Sequence, residues 1–435
     1  MTEQQRPISF GESQIEVAPP PLPRFRTFAS LRNRNYLWYW LGQIAAFTGL
    51  QMGIIARGWL VWTMTGSELA IGVVSFVFGV PILLFTAFGG VVADRVVKRN
   101  LLIGTQTFQA LIALSVATLV ATDRIEFWHL LVAAVCGGFL FVFNGPARQA
   151  IIPELVKKEE LLNAIALNSS AMNLTRMAGP VTAGALMAFI GIAGVYYLVA
   201  ASYLAAVAAL CRVSPSGVTE KSLNRQEVNS RLSLARTIWI DLAEGFHYMR
   251  HSPLILSLLG MALIPLALGL PYLTLLPVFA DKVFHVGELG FGILVTMAGV
   301  GALTASLSIA SLGSFRRKGM LLLLLALAFG TALALFGLSH SFLPSLVLLA
   351  AVGAGGSGYM AVNNTLVQSN VPERLLGRVM SIYMLSFALM PIGALPAGAL
   401  AEVIGAPIAV MMGGISIVLF TLAMAVLQPS VRRLE

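Results

Sequence analysis

The feature that most limits how this chain can fold is a succession of apolar runs, each near twenty residues long and separated by short polar breaks. At 1.5 Å of rise per residue, a helix of that length crosses a hydrocarbon core of about 30 Å. Backbone polar groups in such a solvent must be satisfied inside the segment, so the runs are expected as helices. Twelve are predicted: 36–64, 69–93, 101–121, 128–144, 161–190 and 195–213, then 253–280, 289–312, 320–339, 344–366, 378–402 and 407–427. Composition agrees with this reading. Only 11% of the 435 residues are charged, 57% are apolar and the mean hydropathy is +0.85, whereas a soluble domain carries about 25% charged residues. The fold class expected is an all-α membrane protein of two six-helix bundles, with the lipid bilayer as its surrounding medium.

A net charge of +9 raises the question of nucleic acid, and the placement of the cations answers it. With Met1 in the cytoplasm and loops alternating sides, all but four of the 28 Lys and Arg fall on the cytoplasmic face. The exceptions are Arg124 and Lys282 on the opposite face, and Arg57 and Arg176 inside helices. That asymmetry is the positive-inside rule. The basicity therefore sets topology, no nucleic-acid partner is expected, and both termini are expected in the cytoplasm.

Domain organisation follows. Residues 1–35 form a basic tail with Pro19, Pro20, Pro21 and Pro23, and they lack the apolar centre of a secretory signal. Residues 36–213 are the first bundle, 253–428 the second, and 429–435 a short tail. Between the bundles, 214–252 begins as a polar linker. From Leu232 onward Ala235, Ile238, Trp239, Leu242, Phe246 and Met249 recur at helical spacing, which predicts an amphipathic helix on the membrane surface or a simple tether. Cys136 and Cys211 read as small core residues.

The two bundles carry an internal repeat. Ile152-Pro153-Glu154 recurs as Val371-Pro372-Glu373, a spacing of 219 residues, and Pro180 to Leu186 is echoed by Pro396 to Leu400, a spacing of 216. Equal order and sidedness describe a parallel repeat about an axis along the membrane normal. Transporters built this way place substrate between the halves near the midplane. Pro265, Pro271, Pro277, Pro391 and Pro396 predict bends in helices 7 and 11, tolerated because neighbouring helices satisfy the freed carbonyls.

After helix 2 the chain reads Gly89-Gly90-Val91-Val92-Ala93-Asp94-Arg95-Val96-Val97-Lys98-Arg99. A carboxylate there suits the positive N-terminal end of a neighbouring helix, here helix 11, or an Arg such as Arg148. The plainer alternative is a topogenic basic loop. In helix 5, Gly179-Pro180 with Gly184 permits a bend and close packing, as a seal on one side of a cavity or as ordinary packing. Arg176 sits midway along the same helix, where a charge is costly and faces a cavity or a partner. Its two readings are a substrate contact and a structural hydrogen-bond hub with Asn173 or Asn168. Arg57 lies nearer the outer end of helix 1 and is open to snorkelling or to a substrate role. Other polar candidates for a pathway are Gln43, Gln51, Asn144, Tyr272, Asn363 and Asn364, each also suited to a helix–helix hydrogen bond.

The loop resembles the signature G-x-x-x-D-[RK]-x-G-[RK]-[RK] of the major facilitator superfamily, through Gly90, Asp94, Arg95, Lys98 and Arg99, with Val97 in place of the second glycine. The equivalent loop of the second half, Gly313 to Lys318, keeps cations and lacks the acid. Across about Phe28 to Ala425 the chain is also similar to the enterobactin exporter, or transmembrane secretion effector, branch, which includes macrolide-type efflux pumps. The carriers are Arg34-Asn35-Tyr36, Gly58-Trp59-Leu60 with Thr65-Gly66-Ser67, Pro146-Ala147-Arg148, Asn163-Ala164, Asn173-Leu174-Thr175-Arg176 with Gly179-Pro180, and Gly377-Arg378-Val379. The resemblance implies a bacterial-type cytoplasmic-membrane protein, functional as a monomer, exporting siderophores or hydrophobic drugs. It further implies a proton gradient as the drive, and helices 1, 4, 7 and 10 lining the pathway.

No phosphate-binding loop of the G-x-x-x-x-G-K-[ST] type exists, and no His/Cys ligand cluster or nucleophile–base set is found. Neither an enzyme, a cofactor nor a metal is expected. The coupling group stays unassigned, because carboxylates occur only near helix ends (Glu68, Asp94, Glu402). An importer or uniporter of a small solute, and a non-transporting receptor or scaffold, are the rival functions.

Overall fold

The computed structural model of the protein describes residues 28–214, 250, 252–311, 317–372, 375, 379–380, 383 and 390–434. The first half opens with α1 (Arg34–Thr65), α2 (Glu68–Arg95), α3 (Lys98–Ala121) and α4 (Phe127–Leu155). One continuous stretch, Leu161–Cys211, then holds two helices, because Gly191 takes φ 71° and ψ 175° and turns the chain. We label them α5 (161–190) and α6 (192–211). The second half is α7 (Pro253–Gly269, continued by Tyr272–Val278 and a π turn at Phe279–Val283), α8 (Gly287–Ser311), α9 (Lys318–Leu338), α10 (Phe342–Asn370), α11 (Met390–Ile404) and α12 (Ala406–Leu427).

Among the described residues, ten helical stretches are long and apolar enough to cross a membrane. One of them is the double helix α5–α6, and α11 adds a shorter apolar helix, Ile392–Ile404. The twelve expected crossings are thereby accounted for. Local chemistry sets their ends. Asn33 caps α1 through the backbone N–H groups of Asn35 and Tyr36, Gly66 at φ 61° closes it, and Ser67 caps α2 through Ala70 N–H. Helix 7 breaks at Leu270-Pro271, as its prolines predict.

Within each half, small residues let backbones approach. Gly42 and Gly49 of α1 lie against Ala206, Ala209 and Ser202 of α6, while Gly330 of α9 meets Gly414 of α12. In lipid, where apolar burial between helices gains little, such close packing is the main cohesive term. Two expectations fail or fall outside. Cys136 and Cys211 are exposed rather than buried, since each sits on a helix face turned away from its packed neighbours. The amphipathic helix expected from Leu232 to Met249 lies outside the described residues.

Candidate functional site

The halves meet through two helix crossings, both at the end away from the basic loops. In the first, α5 crosses α8. A Cβ built on Gly184 would stand 2.5 Å from the Glu288 carbonyl oxygen and 3.0 Å from the Gly292 Cα, and one on Gly292 would stand 2.6 Å from the Pro180 carbonyl oxygen. In the second, α2 crosses α11. A Cβ on Gly72 would stand 2.6 Å from the Ala394 carbonyl oxygen, and one on Gly398 would stand 2.7 Å from that of Glu68. No side chain fits at any of the four positions without a shift of backbone. The two crossings are images of each other in the repeat. Glu68-x-x-x-Gly72 matches Glu288-x-x-x-Gly292 at a spacing of 220 residues, and Gly184 matches Gly398 at 214, the same spacing that relates the turns at Gly191 (φ 71°) and Gly405 (φ 88°).

Polar contacts are concentrated on the α2–α11 side. Glu402 accepts hydrogen bonds through Oε2 from the Ser67 hydroxyl at 2.9 Å and from Leu69 N–H at 3.0 Å. Lys282 Nζ pairs with Glu68 Oε1 at 3.1 Å and sits 4.6 Å from the centre of the Trp62 ring. Trp62 in turn donates through Nε1 to Asp281 Oδ2 at 2.9 Å. Trp59 of α1 and Phe291 of α8 stack between the halves at 5.9 Å, beside Gly292 of the first crossing. In the sequence Glu68 and Glu402 stand out only as helix-end carboxylates and Lys282 only as a cation on the face opposite the basic loops, while Asp281 and Trp62 do not stand out at all. The signal was the Glu-x-x-x-Gly register of the repeat, beside one of the two cations on the acidic face.

The predicted residues divide. Of the loop after α2, the side chains of Gly90, Asp94 and Arg95 lie outside the described residues, as does the chain around 384–389 that precedes α11. Lys98 pairs with Glu154 at 2.8 Å, and Arg99 donates to the carbonyls of Leu210 and Cys211, both at 2.9 Å. These cations tie α3 to α4 and to the C-terminal end of α6, where unpaired carbonyls favour a cation. Arg148 packs over Phe47 of its own half, 4.4 Å from the ring centre, and its Nε is buried without a partner among the described residues.

Arg176 and Asn173 are exposed on α5. Arg176 is within electrostatic reach of the buried Tyr272 on α7 of the other half. Thr296 of α8 donates to the Met177 carbonyl beside them at 3.3 Å. Gln51 abuts Gly179, where a Cβ would stand 2.6 Å from its own. Gln43 is buried, its Oε1 without a partner among the described residues. Asn144 donates to Thr105 at 2.9 Å and Asn363 to the Leu258 carbonyl at 3.0 Å, both inside one half, and Asn364 accepts from Gln368. The Arg57 guanidinium lies over the Phe78 ring, 4.8 Å from its centre, and the residue lines a cavity of the first half. Gly53 and Ile54, one turn back on the same helix face, line that cavity and leave it room.

A family model described as transmembrane secretion effector matches residues 25–434. The staphyloferrin A transporter of Staphylococcus aureus (strain NCTC 8325 / PS 47) is 29% identical over 386 residues, covering 88% of this chain and 94% of that protein. The multidrug efflux pump Tap of Mycolicibacterium fortuitum is 24% identical over 83% of this chain and 88% of its own length. The enterobactin exporter EntS of Shigella boydii serotype 18 (strain CDC 3083-94 / BS512) is 26% identical over 78% of this chain and 80% of its own. Among solved structures, the nucleoside transporter NupG superposes with a TM-score of 0.70 at 15% identity, covering 91% of this chain and 99% of that one. A bacterial homologue of the iron transporter ferroportin in an inward-facing state does so at 0.65 and 17%, covering 90% and 99%.

Proposed function

Because the chain belongs to the transmembrane secretion effector family and has the major facilitator fold, we propose that this transporter, which is not an enzyme, exports a small molecule by alternating access. The proposed cargo class is a siderophore or a hydrophobic drug, the drive is the proton gradient, and the working unit is one chain in the cytoplasmic membrane with both termini inside. The observation that carries the reading is the pair of repeat-related glycine crossings. They close the halves at the end away from the basic loops through contacts that part without unfolding either bundle. With that end outside by the charge asymmetry of the loops, the arrangement corresponds to an inward-facing state, ready to load from the cytoplasm.

In this scheme Arg176 and Tyr272 face the pathway between the halves, with Asn173, Gln43 and Gln51 as its polar lining. Asn144, Asn363 and Asn364 border it from α4 and α10. Asp94, with Gly90, Arg95, Lys98, Arg99 and Arg148 around it, latches the cytoplasmic end in the alternate state. Gly179, Pro180 and Gly184 keep α5 close to α8 while the outer end is shut. Relatives named for siderophore and drug export give the outward direction its support.

The test is flux in proteoliposomes, with a panel of siderophores and dyes, an imposed pH gradient and then a protonophore. Export is expected to follow the gradient and to collapse with the protonophore. Uptake in the opposite direction, or no flux of any compound, would overturn the proposal. Arg176→Gln is expected to weaken the apparent affinity for the transported compound by roughly tenfold, the worth of one charge-assisted contact.

A further inference from the structure

Arg57 poses a question that the crossings do not answer. It stands on α1 in a row with Leu50, Gly53 and Ile54, spaced as one helix face, and all four line a cavity of about 80 Å³ inside the first half. Phe78 of α2, Gln109 of α3, Phe141 of α4, and Tyr196 and Tyr203 of α6 help to enclose it. The guanidinium lies over Phe78, yet no Asp or Glu lines the cavity. Among the described residues, nothing accepts a hydrogen bond from Arg57 and no carboxylate pairs with it. The hydroxyls of Tyr196 and Tyr203 have no hydrogen-bond partner there either, although both residues are buried at 6% exposure. Gln109 has only a long contact, 3.5 Å, to the Gly137 carbonyl.

A cation at membrane depth is expensive unless paired, and a face of Phe offsets only part of that cost. Buried polar groups left unmatched cost free energy as well. Here one guanidinium and two tyrosines, every one able to donate, line one half-open space whose walls hold no carboxylate. Its walls, by contrast, are apolar and aromatic. A space of that size admits several waters or the end of a small organic molecule, and it opens past Ile54 and Phe141, whose side chains are exposed at 46% and 43%.

We propose that this cavity is a binding subsite for an aromatic carboxylate, free or as one arm of a larger exported molecule. The carboxylate takes the Arg57 guanidinium and the Tyr196 and Tyr203 hydroxyls, and the ring lies against Phe78 and Phe141. The subsite rests on the export reading for its purpose but not for its chemistry, so it is distinct from the Arg176–Tyr272 region between the halves and is tested by binding alone.

The probe is 4-fluorobenzoate, followed by fluorine NMR line broadening with the full chain in nanodiscs and compared with the neutral 4-fluorobenzamide. The benzoate is expected to bind and the amide to bind at least roughly tenfold more weakly, as a charge-assisted contact requires. Arg57→Gln is expected to abolish the difference and Tyr196→Phe to weaken the benzoate several-fold, while Arg124→Gln, which removes a charge from an outer loop, leaves it unchanged. Should Arg57→Gln fail to fold, Ala133→Phe keeps the cation and fills the cavity, and it must also displace the benzoate. Equal binding of acid and amide, or benzoate binding that survives both Arg57→Gln and Ala133→Phe, would overturn the subsite. Absent flux in the proteoliposome panel with benzoate still bound would defeat the export reading alone. Efflux with no benzoate binding would defeat the subsite alone.

Discussion

The crossing of α2 with α11 and the crossing of α5 with α8 share a backbone and differ in chemistry. At each, a glycine on one helix faces the carbonyl of a Glu one turn before the partner's glycine, so that an added Cβ would stand 2.7 Å from the Glu68 oxygen at Gly398 and 2.5 Å from the Glu288 oxygen at Gly184. The first then adds charged groups, whereas the second has a neutral hydrogen bond from Thr296 of α8 to the Met177 carbonyl of α5. Four residues past Gly398 stands Glu402, which holds Ser67 and the start of α2, and four residues past Gly184 stands Ala188. Glu68 has Lys282, whereas Glu288 makes no ion pair among the described residues. The repeat thus carries the steric closure twice and the ionic fastening once. In mechanical terms the α5–α8 contact, free of charged ties among the described residues, resembles a bearing, and the α2–α11 contact a catch.

The largest effect is expected where the two crossings agree. Gly184→Ala and Gly398→Ala each place a methyl group within 3 Å of a backbone carbonyl. Overpacking of that kind costs about 1–3 kcal/mol, which shifts the balance away from the closed outer end by roughly 5- to 150-fold. Spin-label distances between Asp123→Cys and His340→Cys, in a background with Cys136 and Cys211 replaced, should lengthen in both variants. If only one variant opens, the crossings are not equivalent, and the duplicated-closure account is wrong.

A smaller effect separates them. Glu402→Ala removes the acceptor for two hydrogen bonds at the catch and nothing at the bearing. Glu402 is exposed, so the loss belongs at the low end for charged hydrogen bonds, about fivefold in the same distance measurement. The next experiment asks whether geometry or chemistry makes the difference. Adding Ala188→Glu to the Glu402→Ala variant puts a carboxylate at the repeat-equivalent position, facing the first turn of α8, whose N–H groups favour an anion. It should recover part of the closure, about twofold, and less than the full loss because Gly287 stands near the place of Ser67 and has no hydroxyl to donate. No recovery would mean that the α8 terminus is not presented as the α2 terminus is.

How much of this was legible in the sequence depends on which force was at stake. Helix number, apolar character and the bend of α7 follow from hydropathy and proline, and they are local. Gly184 was picked out by its motif and Gly398 by its echo. Their partners Gly72 and Gly292 were not, because a glycine in an apolar helix has no signature until the facing backbone is known. The same holds for Glu402, whose partners are over 330 residues away in sequence. Arg57 stands out as an oddity, but its surroundings depend on Phe78 of α2 and on Tyr196 and Tyr203 of α6, which only the packing of three helices brings together. Cys136 and Cys211 misled for a related reason: in a soluble protein an apolar neighbourhood implies a buried one, and in a bilayer it does not.

The smallest expected effect is the Glu68–Lys282 pair, and its size decides whether the catch is ionic or mainly a helix cap. The Lys282 side chain is 54% exposed while that of Glu68 is 9% exposed, so the ammonium keeps much of its hydration and salt screens the attraction. Lys282 also rests over Trp62, which Asp281 fixes by a hydrogen bond. Removing Glu68 therefore leaves the cation a second favourable site, and a double-mutant cycle of Glu68→Gln with Lys282→Met should return a coupling of only about 0.2–1 kcal/mol, falling further in high salt. The Glu402 effect should lose less to salt, since a short hydrogen bond to Leu69 N–H depends on contact rather than on charge at a distance. A Glu68–Lys282 coupling larger than the Glu402 effect would reverse that order and make the ion pair, not the capped helix, the fastening that the α5–α8 crossing lacks.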